Sequence, residues 1–255
     1  MSAPLSPHPI VTIGGLPITV IDRDGEARLM LQLAAARQRG MRPLFLSSAN
    51  GEVIARASAD PAMRELFVSA DQLVADGQPL VTASRFLCRT SLPERVATTD
   101  LFHDVAKLAE QTGATFYFYG ADETSSRLAV AAARKAYPRL NIVGASHGYL
   151  TGAALDAKLA EIDALAPDIL WLGLGVPREQ IFFRDHGHQL MHVGVVKTSG
   201  GLFDHMAGRT RRAPPAWQKL GFEWLWRVAM EPRRLFWRYL TTNPLALYAM
   251  LRDSR

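Results

Sequence analysis

Short apolar runs at residues 18–21, 44–47, 72–75, 115–119, 141–143, 169–172 and 192–196 are bounded by polar or glycine-containing stretches and read as strands. Between them, apolar positions recur at helical spacing over residues 25–39, 102–111, 123–137 and 153–165. Strands alternating with helices of this length predict an α/β fold, a Rossmann-like, mostly parallel sheet with helices on both faces. In such sheets ligands bind beyond the carboxyl ends of the strands. Several predicted strand exits carry residues suited to that place: Asn50, Asp76-Gly77, Gly120, Gly173 and Gly175, and Gly200-Gly201.

The pattern changes after Pro214-Pro215. Residues 216–230 and 232–239 read as short helices, with a last one near 244–252, and Pro232 and Pro244 suit first-turn positions. In the first of these, Trp217, Leu220, Trp224, Leu225 and Val228 share a face, while Lys219, Glu223 and Arg227 lie away from it. The charge follows the same division. Residues 209–255 hold ten Arg or Lys against Glu223, Glu231 and Asp253, a net +7 out of +5 for the whole chain, so the remainder is near −2. Four of the five tryptophans lie there too: Trp217, Trp224, Trp226 and Trp237. We therefore expect an α/β core over residues 1–208 and a basic, Trp-rich helical appendage over 209–255 that meets an anionic surface.

Composition narrows the class. With 255 residues, 48% hydrophobic and 21% charged, the chain can bury a full core. The single Cys88 excludes an intrachain disulfide or a Cys-based zinc site and fits a reducing cytoplasm. Residues 1–10 carry three prolines and no charged-then-apolar signal pattern, and no apolar run reaches the roughly 18 residues that cross a bilayer. The chain is expected to stay on the side where it is made.

The candidate chemistry lies at the strand exits. Ser48-Ala49-Asn50 reads either as a helix N-cap or as a polar cluster lining a pocket. Asp76-Gly77 reads as a turn or as a carboxylate held where it can accept a proton from an attacking hydroxyl. Arg95, after Glu94, is either half of a surface ion pair or a guanidinium reaching a phosphate. The densest signal runs from Gly173 through Leu174, Gly175, Val176, Pro177, Arg178 and Glu179 to Gln180: glycines after a strand let backbone N–H groups approach an anion. It lacks the third glycine of a dinucleotide fingerprint and the Gly-Lys-Ser/Thr of a Walker loop. Gly201 and Asp204, then Arg212, close the core. His186, His188 and His192 have no spacing that makes a metal site, and no DxD motif appears, so no metal and no cofactor is expected.

Taken in order, these segments resemble the WecG/TagA/CpsF family of glycosyltransferases. The resemblance rests on Ser48-Ala49-Asn50, Ala75-Asp76-Gly77, Glu94-Arg95-Val96 with Asp100, Tyr119-Gly120, Pro167-Asp168-Ile169-Leu170, Gly173-Leu174-Gly175 through Pro177, and Gly201 through Asp204. It continues in Arg212-Ala213-Pro214, in Gly221-Phe222-Glu223-Trp224-Leu225-Trp226-Arg227, and in Glu231-Pro232-Arg233-Arg234. It implies an inverting, metal-independent enzyme with Asp76 as general base. Ser48 and Asn50 stand in the Thr-x-Asn motif of that pocket, Arg95 matches the family arginine, and Arg212, Arg227 and Arg234 are the tail arginines that would reach the leaving group. Gly120, Gly173, Gly175, Pro177, Arg178, Glu179, Gln180, Gly201 and Asp204 are the implied nucleotide-sugar residues. The family usually reads Pro-Lys-Gln-Glu where this chain has Pro177-Arg178-Glu179-Gln180, so the Gln and Glu are exchanged.

The implied reaction moves a sugar from a UDP-sugar (N-acetylmannosamine, its uronic acid, or glucose) onto a polyprenyl-diphosphate-linked saccharide, in cell-surface or exopolysaccharide synthesis. The implied location is peripheral, on the cytoplasmic face of the bacterial plasma membrane. The exchanged pair supports one alternative, a non-catalytic nucleotide-sugar-binding or scaffold subunit of a polysaccharide assembly complex. Nucleic acid suits the Trp and Leu stripe less well than an interface does. The oligomeric state, homo-oligomer included, is left open.

Overall fold

The computed structural model describes residues 8–214, 216–217 and 221–255, apart from the side chain of Arg234. Eight strands run β1 (Ile10–Ile13), β2 (Leu16–Thr19), β3 (Leu44–Ala49), β4 (Gln72–Ala75), β5 (Thr115–Gly120), β6 (Asn141–Ser146), β7 (Ile169–Gly173) and β8 (Val195–Thr198). The helices are α1 (Arg23–Ala36), α2 (Gly51–Ala59), α3 (Pro61–Val68), α4 (Gln78–Leu87), α5 (Thr98–Thr112) and α6 (Glu123–Ala136). They continue as α7 (Gly152–Leu165), α8 (Arg178–His186), α9 (Leu202–Met206), α10 (Glu223–Met230) and α11 (Pro232–Arg252). A six-stranded sheet in the order β4-β3-β8-β7-β5-β6, flanked by helices, is the expected Rossmann-like α/β architecture. The pairings of β3 with β8, β8 with β7, β7 with β5 and β5 with β6 are all parallel.

Two strand expectations need correction. The run at 18–21 is not a strand of this sheet: β2 ends at Thr19 and pairs antiparallel with β1 in a separate hairpin. The run at 192–196 is strand only from Val195 onward. At Gly194 a side chain would lie 2.6 Å from the Asp168 carbonyl oxygen, so the backbone makes a close crossing there before the strand begins. In the tail, the expected breaks near 239 and 244 are absent, and α11 runs unbroken through Pro244. Proline leaves the carbonyl four residues earlier without its helical partner. Just before it, the hydroxyl of Thr241 donates to the carbonyls of Trp237 and Arg238, and that of Thr242 to Arg238.

The chain divides into two compact units: residues 24–46 with 98–211, and the described residues of 1–23, 47–97 and 212–255. In the first, Phe116, Tyr117, Phe118 and Tyr119 of β5 are all buried, so both faces of the strand are covered. Phe102 of α5 packs edge-on against Trp171, Phe116 and Phe118. Asp122 starts α6 by accepting the Ser125 amide at 2.8 Å, an N-cap that satisfies one of the free donors of that turn.

In the second unit, α2 buries Val53, Ile54, Ala55 and Ala57. Helix α11 packs along α2, burying Leu235, Ala246, Ala249 and Met250. An ion pair at 3.3 Å joins Arg238 to Glu52. After α11 the chain runs beside β1: Thr12 and Arg255 exchange both backbone hydrogen bonds, at 3.0 and 3.2 Å, and the Gly15 amide donates to the Asp253 carbonyl at 2.9 Å.

Candidate functional site

In the unit holding residues 47–97 and 212–255, the ends of β3 and β4 lie side by side. The Asp76 amide donates to the Ala49 carbonyl at 2.8 Å, and the Val96 amide to the Ala75 carbonyl at 2.8 Å. Gly77 sits so close to Asn50 that a Cβ on it would lie 3.5 Å from the Asn50 Cα. Ser48, Asn50 and Asp76, separated in sequence, are thus brought together, all three half-buried. Asn50 also performs the cap: its Oδ1 accepts from the amides of Glu52 at 3.0 Å and Val53 at 3.1 Å. Both readings of that residue are therefore compatible, since the cap fixes the side chain at the strand exit.

Arg95 stands next to this cluster, one residue before the Val96 amide that bonds to Ala75. Its side chain is 13% exposed, and its Nη1 donates to Glu223 Oε2 at 2.7 Å. The other Glu223 oxygen accepts from Arg227 Nη2 at 3.4 Å, one turn along α10. The tail also passes the start of α4, where a Cβ on Gly221 would lie 3.7 Å from the Gln78 side chain. Of the three tail arginines, Arg227 is brought to Arg95. Arg212 is half-buried beside the buried Ala213, and the side chain of Arg234 lies outside the described residues.

The other unit contains the topological switch of the sheet. Strand β5 continues through α6 outward to β6, whereas β7 continues through α8 in the opposite direction to β8. With right-handed crossovers, helices leaving neighbouring strands in opposite directions lie on opposite faces, and a crevice opens between them at the strand ends. Those ends are Gly120 and Gly173, which pair directly. At Gly120, with φ +146°, a Cβ would sit 2.3 Å from the Gly173 carbonyl oxygen, so only glycine allows the approach. Around this floor, Gly175, Gly200 and Gly201 border open space: a Cβ on any of them would meet nothing within 4 Å. Bare backbone facing a crevice at strand ends is suited to an anionic or nucleotide ligand.

Glu179 sets the shape of this crevice from beneath. It is 1% exposed, and its Oε1 accepts from the amides of Gly200 at 2.7 Å, Ser199 at 3.2 Å and Leu174 at 3.3 Å. One carboxylate oxygen thus ties the loop after β7 to the loop after β8. Burial raises its pKa to about 7, against the opposing pull of the Gly200 and Ser199 amides and of the buried Lys197. Gln180 is buried beside it, while Pro177 and the exposed Arg178 begin α8. Asp204 is engaged likewise: its Oδ1 accepts from the buried Ser125 hydroxyl at 2.8 Å. Asp122 pairs with Arg209, and its pKa is lowered chiefly by the Ser125 amide. Lys197 and Ser125 went unrecognised in the sequence. The signal for Lys197 was a lysine closing an apolar strand, directly opposite Trp171.

Of the three histidines, His192 holds Asp163 at 2.7 Å and His186 meets Gln189 at 3.3 Å. No helix among the described residues is long and apolar enough to cross a membrane. Helix α11 nonetheless has two apolar faces. At 100° per residue, Leu235, Ala246, Ala249 and Met250 cluster on the side packed against α2. Phe236, Trp237, Leu240, Leu247, Tyr248 and Leu251 fall on the opposite side and remain exposed, Trp237 at 68%. Such a stripe is larger than the scattered apolar residues a protein surface normally carries.

The sequence model described as the glycosyl transferase WecG/TagA/CpsF family matches residues 11–255. The chain is also similar to the N-acetylglucosaminyldiphosphoundecaprenol N-acetyl-beta-D-mannosaminyltransferase of Bacillus spizizenii. The two are 29% identical over 211 residues, which span 83% of this chain and 80% of that relative.

Proposed function

Because the chain belongs to the glycosyl transferase WecG/TagA/CpsF family, we propose that it transfers a hexosaminyl group from a UDP-sugar to a saccharide on polyprenyl diphosphate. The observation that carries this reading is the convergence of Ser48, Asn50 and Asp76 at the ends of β3 and β4, with the Arg95–Glu223–Arg227 group beside Asp76. The acceptor hydroxyl attacks the anomeric carbon of the donor as the bond to UDP breaks. Asp76 takes the hydroxyl proton, and attack from the opposite side inverts the anomeric configuration. The negative charge that develops on the leaving diphosphate is met by guanidinium groups, Arg95 first. The glycine crevice at the ends of β5 and β7, in the other unit, is by itself suited to an anionic group such as a nucleotide.

The name of the Bacillus relative makes N-acetylmannosamine, carried on UDP as we propose, the first donor sugar to assay, and N-acetylglucosamine on a polyprenyl diphosphate the first acceptor. The tail, residues 209–255, supports a peripheral position on an anionic membrane surface. It combines a net +7 charge with the exposed apolar stripe of α11, which suits the interface where a lipid-linked acceptor resides. The exchanged Glu179-Gln180 pair does not favour a non-catalytic scaffold, since Glu179 is occupied in fixing backbone. Asp76→Asn keeps the shape of the side chain and removes its basicity. It should lower UDP release by about 10²–10⁴-fold with the fold intact. Wild-type turnover in that variant would exclude Asp76 as the base.

A further inference from the structure

Glu223 is one of three acidic residues in an otherwise basic tail, and it touches both arginines best placed for a phosphate. Its two oxygens are divided between them, Oε2 to Arg95 at 2.7 Å and Oε1 to Arg227 at 3.4 Å. Two guanidinium groups sharing one carboxylate would otherwise repel, and at 13% and 23% exposure Arg95 and Glu223 are screened less than a surface pair. With Glu223 in place, one carboxylate lies between the two guanidinium groups and holds each through a hydrogen bond. Glu223 is itself well supported. It is the first residue of α10, where the helix dipole favours a carboxylate, and Arg227 follows four residues later on the same face.

We propose that Glu223 is a positioning residue that aligns Arg95 and Arg227 as one cationic pair for the leaving diphosphate. This rests on the reading of Arg95 as a leaving-group cation. Glu223 does not touch substrate. It fixes the direction of Arg95, so that charge is already oriented when the sugar–phosphate bond breaks, and it makes that orientation depend on the tail helix. A residue that serves only to dock α10 would do so equally well with the two charges exchanged.

The full-length protein is assayed for UDP release with UDP-N-acetylmannosamine and a short-chain polyprenyl-diphosphate N-acetylglucosamine. Glu223→Gln should lower kcat about 10- to 100-fold, with donor KM changed less than about threefold. Arg95→Ala should lose at least as much. The double variant Glu223→Gln/Arg95→Ala should lose less than the product of the two single losses, because the glutamate acts through the arginines it aligns. Losses that multiply in the double variant, or an unchanged kcat in Glu223→Gln, overturn the proposal while leaving Arg95 in its role. Full activity in Arg95→Ala overturns both. If Glu223→Gln melts early, the exchanged pair Arg95→Glu/Glu223→Arg restores the ion pair and the melting temperature. That protein should stay slow, because the cation is then on the wrong side, and a wild-type rate in it refutes positioning.

Discussion

Replacing Glu179 by glutamine should flatten the dependence of stability on pH between about pH 4.5 and pH 8. Glu179 is buried at 1% exposure, and its carboxyl group titrates at about 7 in the folded protein against 4.5 in the reference state. Over that interval the folded chain therefore holds a proton that the unfolded chain has released. Stability rises with pH only where the unfolded state binds more protons, and here the folded state does. The contribution is thus fully present below about 4.5 and declines as the pH climbs through about 7. Moving the group from 4.5 to about 7 corresponds to on the order of 3 kcal/mol at 1.36 kcal/mol per unit. For a domain whose total stability is roughly 5–15 kcal/mol, that is readily measured.

The amide side chain of the Glu179→Gln variant would keep the shape, and its carbonyl oxygen could accept from Leu174, Ser199 and Gly200 as Oε1 does now. It cannot titrate. Lys197, buried at 0% exposure, acts on the ionised carboxylate and is already part of the Glu179 shift, so it adds no separate contribution to the difference in pH dependence. Urea unfolding followed by tryptophan fluorescence at several pH values gives the difference between the two proteins directly, and the histidines cancel in it. The expected result is a difference that shifts in favour of the variant by on the order of 3 kcal/mol between pH 4.5 and pH 8. Parallel curves would refute the reasoning, and would mean that the three amides and Lys197 hold the carboxylate charged throughout.

Two further outcomes follow from the same geometry. Gly120→Ala should cost more than about 3 kcal/mol, seen as a large drop in melting temperature or loss of soluble protein. Its Cβ would lie 2.3 Å from the Gly173 carbonyl oxygen, at a φ of +146° that alanine rarely adopts. Trp237→Ala should leave the melting temperature within a degree or two, since the side chain is 68% exposed, yet weaken flotation with anionic vesicles, and unchanged flotation would remove Trp237 from the interface.

Periodicity located the middle of the sheet because β5 and β7 are apolar throughout, as strands covered on both faces must be. It failed where another constraint set the boundary. At 192–196 the apolar run includes Val193 and Gly194, but the close backbone crossing at Gly194 delays the strand, and Lys197 extends it past the point where polarity suggests an end. Helices α2, α3 and α4 have eight to ten residues each, too few turns for a stripe to stand out. The one local signal read there was the Asn50 cap; the starts at Asp60-Pro61 and at Gly77 with Pro79 were not read. The β1–β2 hairpin was marked only by Gly14-Gly15, both at positive φ.

The candidate site divides in the same way. Which groups can react was legible, because a proton acceptor, a cap and a guanidinium each require a particular residue type at a strand exit. Which groups hold them was not. Glu223 lies 128 positions from Arg95, and in the sequence it is one polar residue off the apolar face of a tail helix. Glu179 looked like a ligand residue because it follows a glycine loop, whereas its partners Ser199 and Gly200 come from the next strand exit, twenty and twenty-one positions on. A carboxylate is equally at home on a ligand, a helix terminus or an arginine, so its type alone does not choose among them. The choice is made by burial. Glu179, at 1% exposure, would be costly to leave without its backbone amides, and Glu223, at 23%, is partly shielded and held by two guanidinium groups. Their positions therefore follow from packing that only the folded chain specifies.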